Sequence, residues 1–161
     1  MSSLKVPQFD LLTGQPGPYE GFGVAVAAEG TRLKRLQAAM EEARQRVEDG
    51  FACRLSKQGR PGDLDSIIGE MWQEGWDPAI CNVNLFATDF GLVLTQKILL
   101  TLGGRVIIRS PEDPSHLSVH WPTVGVEAFP FHKVLKCLVS REGESTQSFL
   151  DGLREYLPSG Q

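Results

Sequence analysis

The stretch Thr88–Pro122, TDFGLVLTQKILLTLGGRVIIRSPEDPSHLSVHWP, decides the fold. From Phe90 to Leu102, the apolar residues Leu92, Val93, Leu94, Ile98, Leu99, Leu100 and Leu102 fall on nearly every face of a helix. Only Thr95, Gln96, Lys97 and Thr101 interrupt them. A helix apolar on most faces belongs inside a domain. Gly103-Gly104 then supplies the left-handed turn that most side chains resist. Two alternating segments follow, at 104–109 and 115–121. Val106 and Ile108 share one face of the first, and Arg105, Ile107 and Arg109 the other. Leu117, Val119 and Trp121 share one face of the second, and His116, Ser118 and His120 the other. SPEDPS between them has the length and chemistry of a hairpin turn. The expected unit is an antiparallel hairpin laid by its apolar face on the helix.

Upstream, Thr31 is placed as an N-cap. Leu33, Leu36, Met40, Ala43 and Val47 then recur at spacings of three and four, one apolar stripe on a helix of about five turns. Gly50 is a plausible stop. The stripe is heptad-like, so a coiled-coil dimer is an alternative, but two heptads favour packing on the same domain. Asp63 caps a second helix with Leu64, Ile67, Ile68, Met71 and Trp72 inward, and Gly75-Trp76-Asp77-Pro78 ends it. Cys81–Phe86 reads as a short strand or turn, with Thr88 or Asp89 capping the core helix. Residues 1–20 read as an extended arm, 22–28 as a short strand and 50–62 as a connection. Downstream, 122–131 is a loop or short edge segment, and 132–139 a short helix. Ser145 or Thr146 caps a last helix that buries Phe149, Leu150, Leu153 and Leu157. Residues 158–161 form a frayed tail. The fold class is α+β: four to five helices around a small, mainly antiparallel sheet, in one domain over 1–161.

The 161 residues carry 41% apolar and 22% charged side chains, ordinary for a globular chain. The net charge of −4 gives no general attraction to nucleic acid or to an anionic membrane. No purely apolar run approaches the roughly 20 residues of a membrane span. MSSLKVPQFD has no apolar signal core, so a cytoplasmic location is expected. Cys53, Cys81 and Cys137 are odd in number and far apart, as reduced thiols are.

The segment GLVLTQKILLTLGGRVIIRSPEDPSHLSVHWP resembles the end of a histidine-kinase-type ATP-binding domain, over about a fifth of the chain. That family also runs a glycine-containing loop into a helix, then Gly-Gly, strand, turn, and a strand closing with proline. The resemblance implies a phosphate-binding helix N-terminus at Asp89–Leu94, with Asp89, Phe90 and Gly91 against the nucleotide. The chain departs from the family in having only Gly91 at that motif. It also lacks the magnesium-binding asparagine helix and the adenine-reading aspartate pattern.

Other constellations carry little chemistry. His116 and His120 would stand about 13 Å apart on a strand, too far to share a metal. His132 and Cys137 are turned apart on a helix. Ser118 lacks a nucleophile elbow. No catalytic residue, cofactor or metal is therefore assigned. The favoured reading is a non-enzymatic cytoplasmic protein-binding protein, in the form of a bacterial immunity protein that masks a toxin. An acidic inhibitor speeds capture of a basic enzyme. Its partner-binding candidates are Trp76, Arg105, Arg109, Glu112, Asp113, His116 and His120. The alternative is a small-ligand or nucleotide-binding module, and a third reading is an enzyme whose site assembles from distant residues. Monomer and dimer both stay open.

Overall fold

The core helix is longer than its apolar run. The computed structural model of the protein describes residues 26–27, 30–51, 55, 62–108, 117–121, 123–140 and 145–157. In chain order these form β1 (Val26–Ala27), α1 (Thr31–Phe51), α2 (Gly62–Gln73), α3 (Val83–Leu102), β2 (Arg105–Ile108), β3 (Leu117–Trp121), β4 (Val126–Ala128), α4 (Pro130–Val139) and α5 (Thr146–Tyr156). The fold is α+β, with an antiparallel sheet in the order β1-β2-β3-β4. The N-terminal arm, the hairpin tip and the C-terminal tail lie outside the described residues.

α3 is the buried axis, and its start corrects the sequence reading. Val83–Phe86 is helix, not strand or turn, and neither Thr88 nor Asp89 is the cap. Asn82 takes that place: its side-chain oxygen accepts the Leu85 N–H, one of the donors that a helix start leaves orphaned. Every residue from Phe90 to Ile98 is buried. The polar ones among them have partners within the fold. Thr95 Oγ1 donates to the Gly91 carbonyl at 2.7 Å, and Gln96 Nε2 donates to Glu41 at 3.2 Å. Lys97 Nζ lies 3.8 Å from the Asp63 carboxylate. Among the described residues, α3 is the one helix with the length and composition of a membrane span, over a window of mean hydropathy 1.4. Here 61% of that window is buried inside the domain.

Gly91 is a contact residue, not part of a loop. A Cβ built there would lie 2.4 Å from a ring carbon of Phe131, itself 2% exposed. Gly91→Ala would gain about 1 kcal/mol of helix propensity. Against that stands overpacking of a ring with nowhere to move, which costs about 1–3 kcal/mol. The substitution is therefore expected to lower stability by about 1 kcal/mol, read as a lower urea midpoint at unchanged slope.

α1 begins at Thr31 itself, with the Gly30 carbonyl accepting the Lys34 N–H, and it continues through Gly50 to Phe51. Of its stripe, Leu36, Met40, Ala43 and Val47 are buried within the chain and Leu33 is half-buried. The seam that a coiled-coil dimer would use is thus already occupied. Arg46 bridges α1 to α3 by a two-pronged pair with Asp89, closest at 2.8 Å.

The hairpin follows the sequence reading. Val106 pairs with Val119 and Ile108 with Leu117, and these four are buried together with Trp121. Gly103 and Gly104 turn the chain at φ of 75° and 100°, in the left-handed region. The Trp121 indole then donates to the Leu102 carbonyl at 3.0 Å, tying the hairpin to the end of α3. Residues 126–128, read as loop or edge, form the short edge strand β4.

α2 and α5 are locked by one side chain. Asp65 lies in the first turn of α2, which starts at Gly62 and leaves Asp63 inside that turn rather than capping it. Its carboxylate accepts Thr146 N at 2.8 Å, Thr146 Oγ1 at 2.9 Å, Gln147 N at 3.0 Å and Ser145 Oγ at 3.3 Å. Ser145 is the N-cap of α5, accepting the Ser148 N–H.

Candidate functional site

Of the sequence candidates, Trp76, Arg105 and His120 are described, and they divide between two places. Across the sheet, Arg105 pairs with His120, and His120 with Glu127. Ser118, on the same face as His120, donates to Glu127 at 2.5 Å. This face was expected to point outward. Instead Ser118 is 0% exposed and His120 and Glu127 are half-buried, so among these only Arg105 is open. Arg109, Glu112, Asp113 and His116 lie outside the described residues.

Trp76 belongs elsewhere. Its ring meets Phe86 edge-on at 5.2 Å, near the start of α3, whereas the hairpin is tied to Leu102 at the other end. The helix between Phe86 and Leu102 rises about 24 Å. Nor is Trp76 a free anchor: its indole donates to the Leu138 carbonyl at 2.7 Å, and Trp72 donates to Cys137 at 3.2 Å. The two tryptophans fasten α2 to the last turn of α4.

The nucleotide residues are likewise placed otherwise than the resemblance implies. Asp89, Phe90 and Gly91 lie in the second and third turns of α3. Beyond its first four residues a helix bonds its amides internally, so these present no free N–H groups to a phosphate. The Asp89 carboxylate faces Arg46, Phe90 is core, and Gly91 meets Phe131.

Acid–base and metal chemistry find little to work with. The described residues hold no group of three or more His, Cys, Asp or Glu that could bind a metal. His132 is exposed and stacks on Phe129, whereas Cys137 on the same helix is buried. Burial pushes the Lys97 amine below its usual range, and Asp63 partly opposes this. At 1% exposure that amine has no route to a substrate.

What the fold does bring together at Trp76 is a corner of three segments, each with an exposed apolar side chain, which has no counterpart in the sequence pattern. Three of the five large apolar side chains exposed among the described residues lie on segments that Trp76 joins. Ile80, 81% exposed, is in the turn just after it. Leu85, 64% exposed, precedes Phe86, which carries the Trp76 ring. Val139, 52% exposed, follows Leu138, whose carbonyl Trp76 holds. Phe86, Phe90 and Phe51 meet one another as tilted rings with centroids 5.9–6.3 Å apart. The Trp76–Phe86 contact is therefore continuous with the core ring Phe90. One sequence signal was there to find: Asn82 three residues before Leu85 is a cap spacing, and it turns Val83–Phe86 from strand into helix.

The chain matches no protein-family model, no curated protein and no solved structure.

Proposed function

We propose that this chain is a non-enzymatic protein-binding protein and that its contact surface is the corner around Trp76. The observation that carries this is that Ile80, Leu85 and Val139, all exposed, stand close along the chain to Trp76 and to its partners Phe86 and Leu138. Single exposed apolar residues are ordinary, but a cluster of them on a rigid base is the usual mark of an interaction site. Interface centres are rich in aromatic residues set in well-packed surroundings. Trp76 and Phe86 supply those residues here. The particular form we propose is a cytoplasmic masking protein of the bacterial immunity kind, which covers a toxin. What supports that form is the net charge of −4, which favours encounter with a basic enzyme.

The test is site-specific photo-cross-linking in the chain's own cell. A photoreactive side chain at Leu85 is expected to yield a discrete adduct with another protein. The same group at Gln37, exposed on α1, is expected to yield none. Equal labelling from both positions, or none from Leu85, would remove the corner as the contact surface.

A further inference from the structure

The charges around the corner specify what fits it. On the α2 side the exposed ionisable residues among those described are Glu70, Glu74 and Asp77, and α2 has no basic residue in its last turn. A helix C-terminus carries a partial negative charge, which a basic last turn would ordinarily offset. α4 also ends at the corner, with Lys136 in its last turn and His132 one turn earlier, both exposed. Lys133 is turned away, its amine 6.0 Å above the Phe149 ring. The start of α3 brings a positive pole, and Asn82 takes up part of it by accepting the Leu85 N–H. Among the described residues, three exposed carboxylates and the ends of two helices thus stand against Lys136 and the α3 start, while Arg46, facing α3 one turn beyond Leu85, is already paired with Asp89.

Resting on the reading of the corner as the contact surface, we infer that its occupant is a basic amphipathic segment of a partner protein. Large apolar side chains of that segment cover Ile80, Leu85 and Val139, and its lysines or arginines face Glu70, Glu74 and Asp77. An apolar helix face laid on an exposed apolar surface is a recurring mode of recognition. Here the acidic border sets the sign of the flanking charge. The same border disfavours an anionic membrane, which like charge would repel. It also disfavours a second copy of the chain, which would bring another acidic border.

The inference is tested with three designed helical peptides of about 18 residues, sharing one leucine face and carrying lysine, glutamine or glutamate on the other. Each is titrated into the full chain and into two double variants, Ile80→Asp with Leu85→Asp and Glu70→Lys with Glu74→Lys. Circular dichroism checks that both variants are folded. The lysine peptide is expected to bind the parent and to lose roughly tenfold or more in affinity on either double variant. The glutamate peptide is expected not to bind. If the glutamine or glutamate peptide binds as well as the lysine one, or the Glu→Lys pair changes nothing, the basic-partner inference is overturned while the apolar corner stands. If no peptide binds, or binding survives the Ile80/Leu85 pair, both readings fall. Self-association of the parent that the Ile80/Leu85 pair abolishes would make a second copy the occupant and overturn the inference.

Discussion

Replacing Asp63 by alanine is expected to lower the unfolding free energy by about 3 kcal/mol, while replacing Lys97 by methionine leaves it unchanged or raises it. The asymmetry follows from where the two charges sit. Lys97 is 1% exposed on the core helix, and its amine stands 3.8 Å from Asp63, whose side chain is 27% exposed. Truncating Asp63 keeps the ammonium in the core without that counter-charge. Truncating Lys97 leaves a carboxylate that water already reaches, and methionine fills most of the vacated volume. Buried pairs behave this way because desolvating two ions rivals their attraction.

The pH dependence has a fixed sign. Burial lowers the Lys97 pKa from its ordinary 10.5. Between the lowered folded value and 10.5 the unfolded chain binds more protons than the native one, so this group makes stability rise with pH across that window. Below the folded value the full cost of burying the charge remains. Lys97→Met should lose this rise. Urea midpoints of parent and variant, compared from pH 7 to 10.5, read it directly. Parallel curves would mean that Lys97 is not desolvated as described.

Asp65→Ala is the second large effect, expected to cost about 2–4 kcal/mol. The carboxylate accepts four hydrogen bonds from Ser145, Thr146 and Gln147 at the start of α5. Negative charge at a helix N-terminus adds to their strength. Removing it also takes away the carboxylate to which the hydroxyl of Thr146, 0% exposed, donates at 2.9 Å. Asp65→Asn keeps an acceptor and should cost less than half as much. Hydrogen exchange should show the loss first in α5, as faster exchange of its amides. An alanine variant with parental stability and protected α5 amides would refute the clamp.

Local pattern made much of the fold legible. The Phe90–Leu102 run announced a buried helix, and strand alternation picked out Val106, Ile108, Leu117, Val119 and Trp121 as the inner face. A cap at Ser145 or Thr146 is legible because the apolar period begins just after them, and the structure uses Ser145. What pattern could not supply were relations between distant segments. Asp65 looks like any helix-start acid until α5 is seen resting on it. Asp89 and Gly91 look like a loop start because the apolar run begins beside them, yet Asn82 has already started the helix. Alternation marks Ser118 as outward-facing, but whether an outward face is open depends on what lies over it. Trp76, an aromatic at a helix end, has the local pattern of an exposed anchor. Its place at the opposite end of α3 from Arg105 needed the path of the chain.

The most direct measurement is the affinity of the protein cross-linked at position 85 for three forms of this chain: parent, Ile80→Asp with Leu85→Asp, and Arg105→Glu. The corner account predicts a loss of roughly tenfold or more for the double variant. It predicts parental affinity for Arg105→Glu, whose side chain is exposed on the sheet at the far end of α3. The opposite pattern, with the double variant binding like the parent and Arg105→Glu failing to bind, would contradict it and move the contact surface to the sheet.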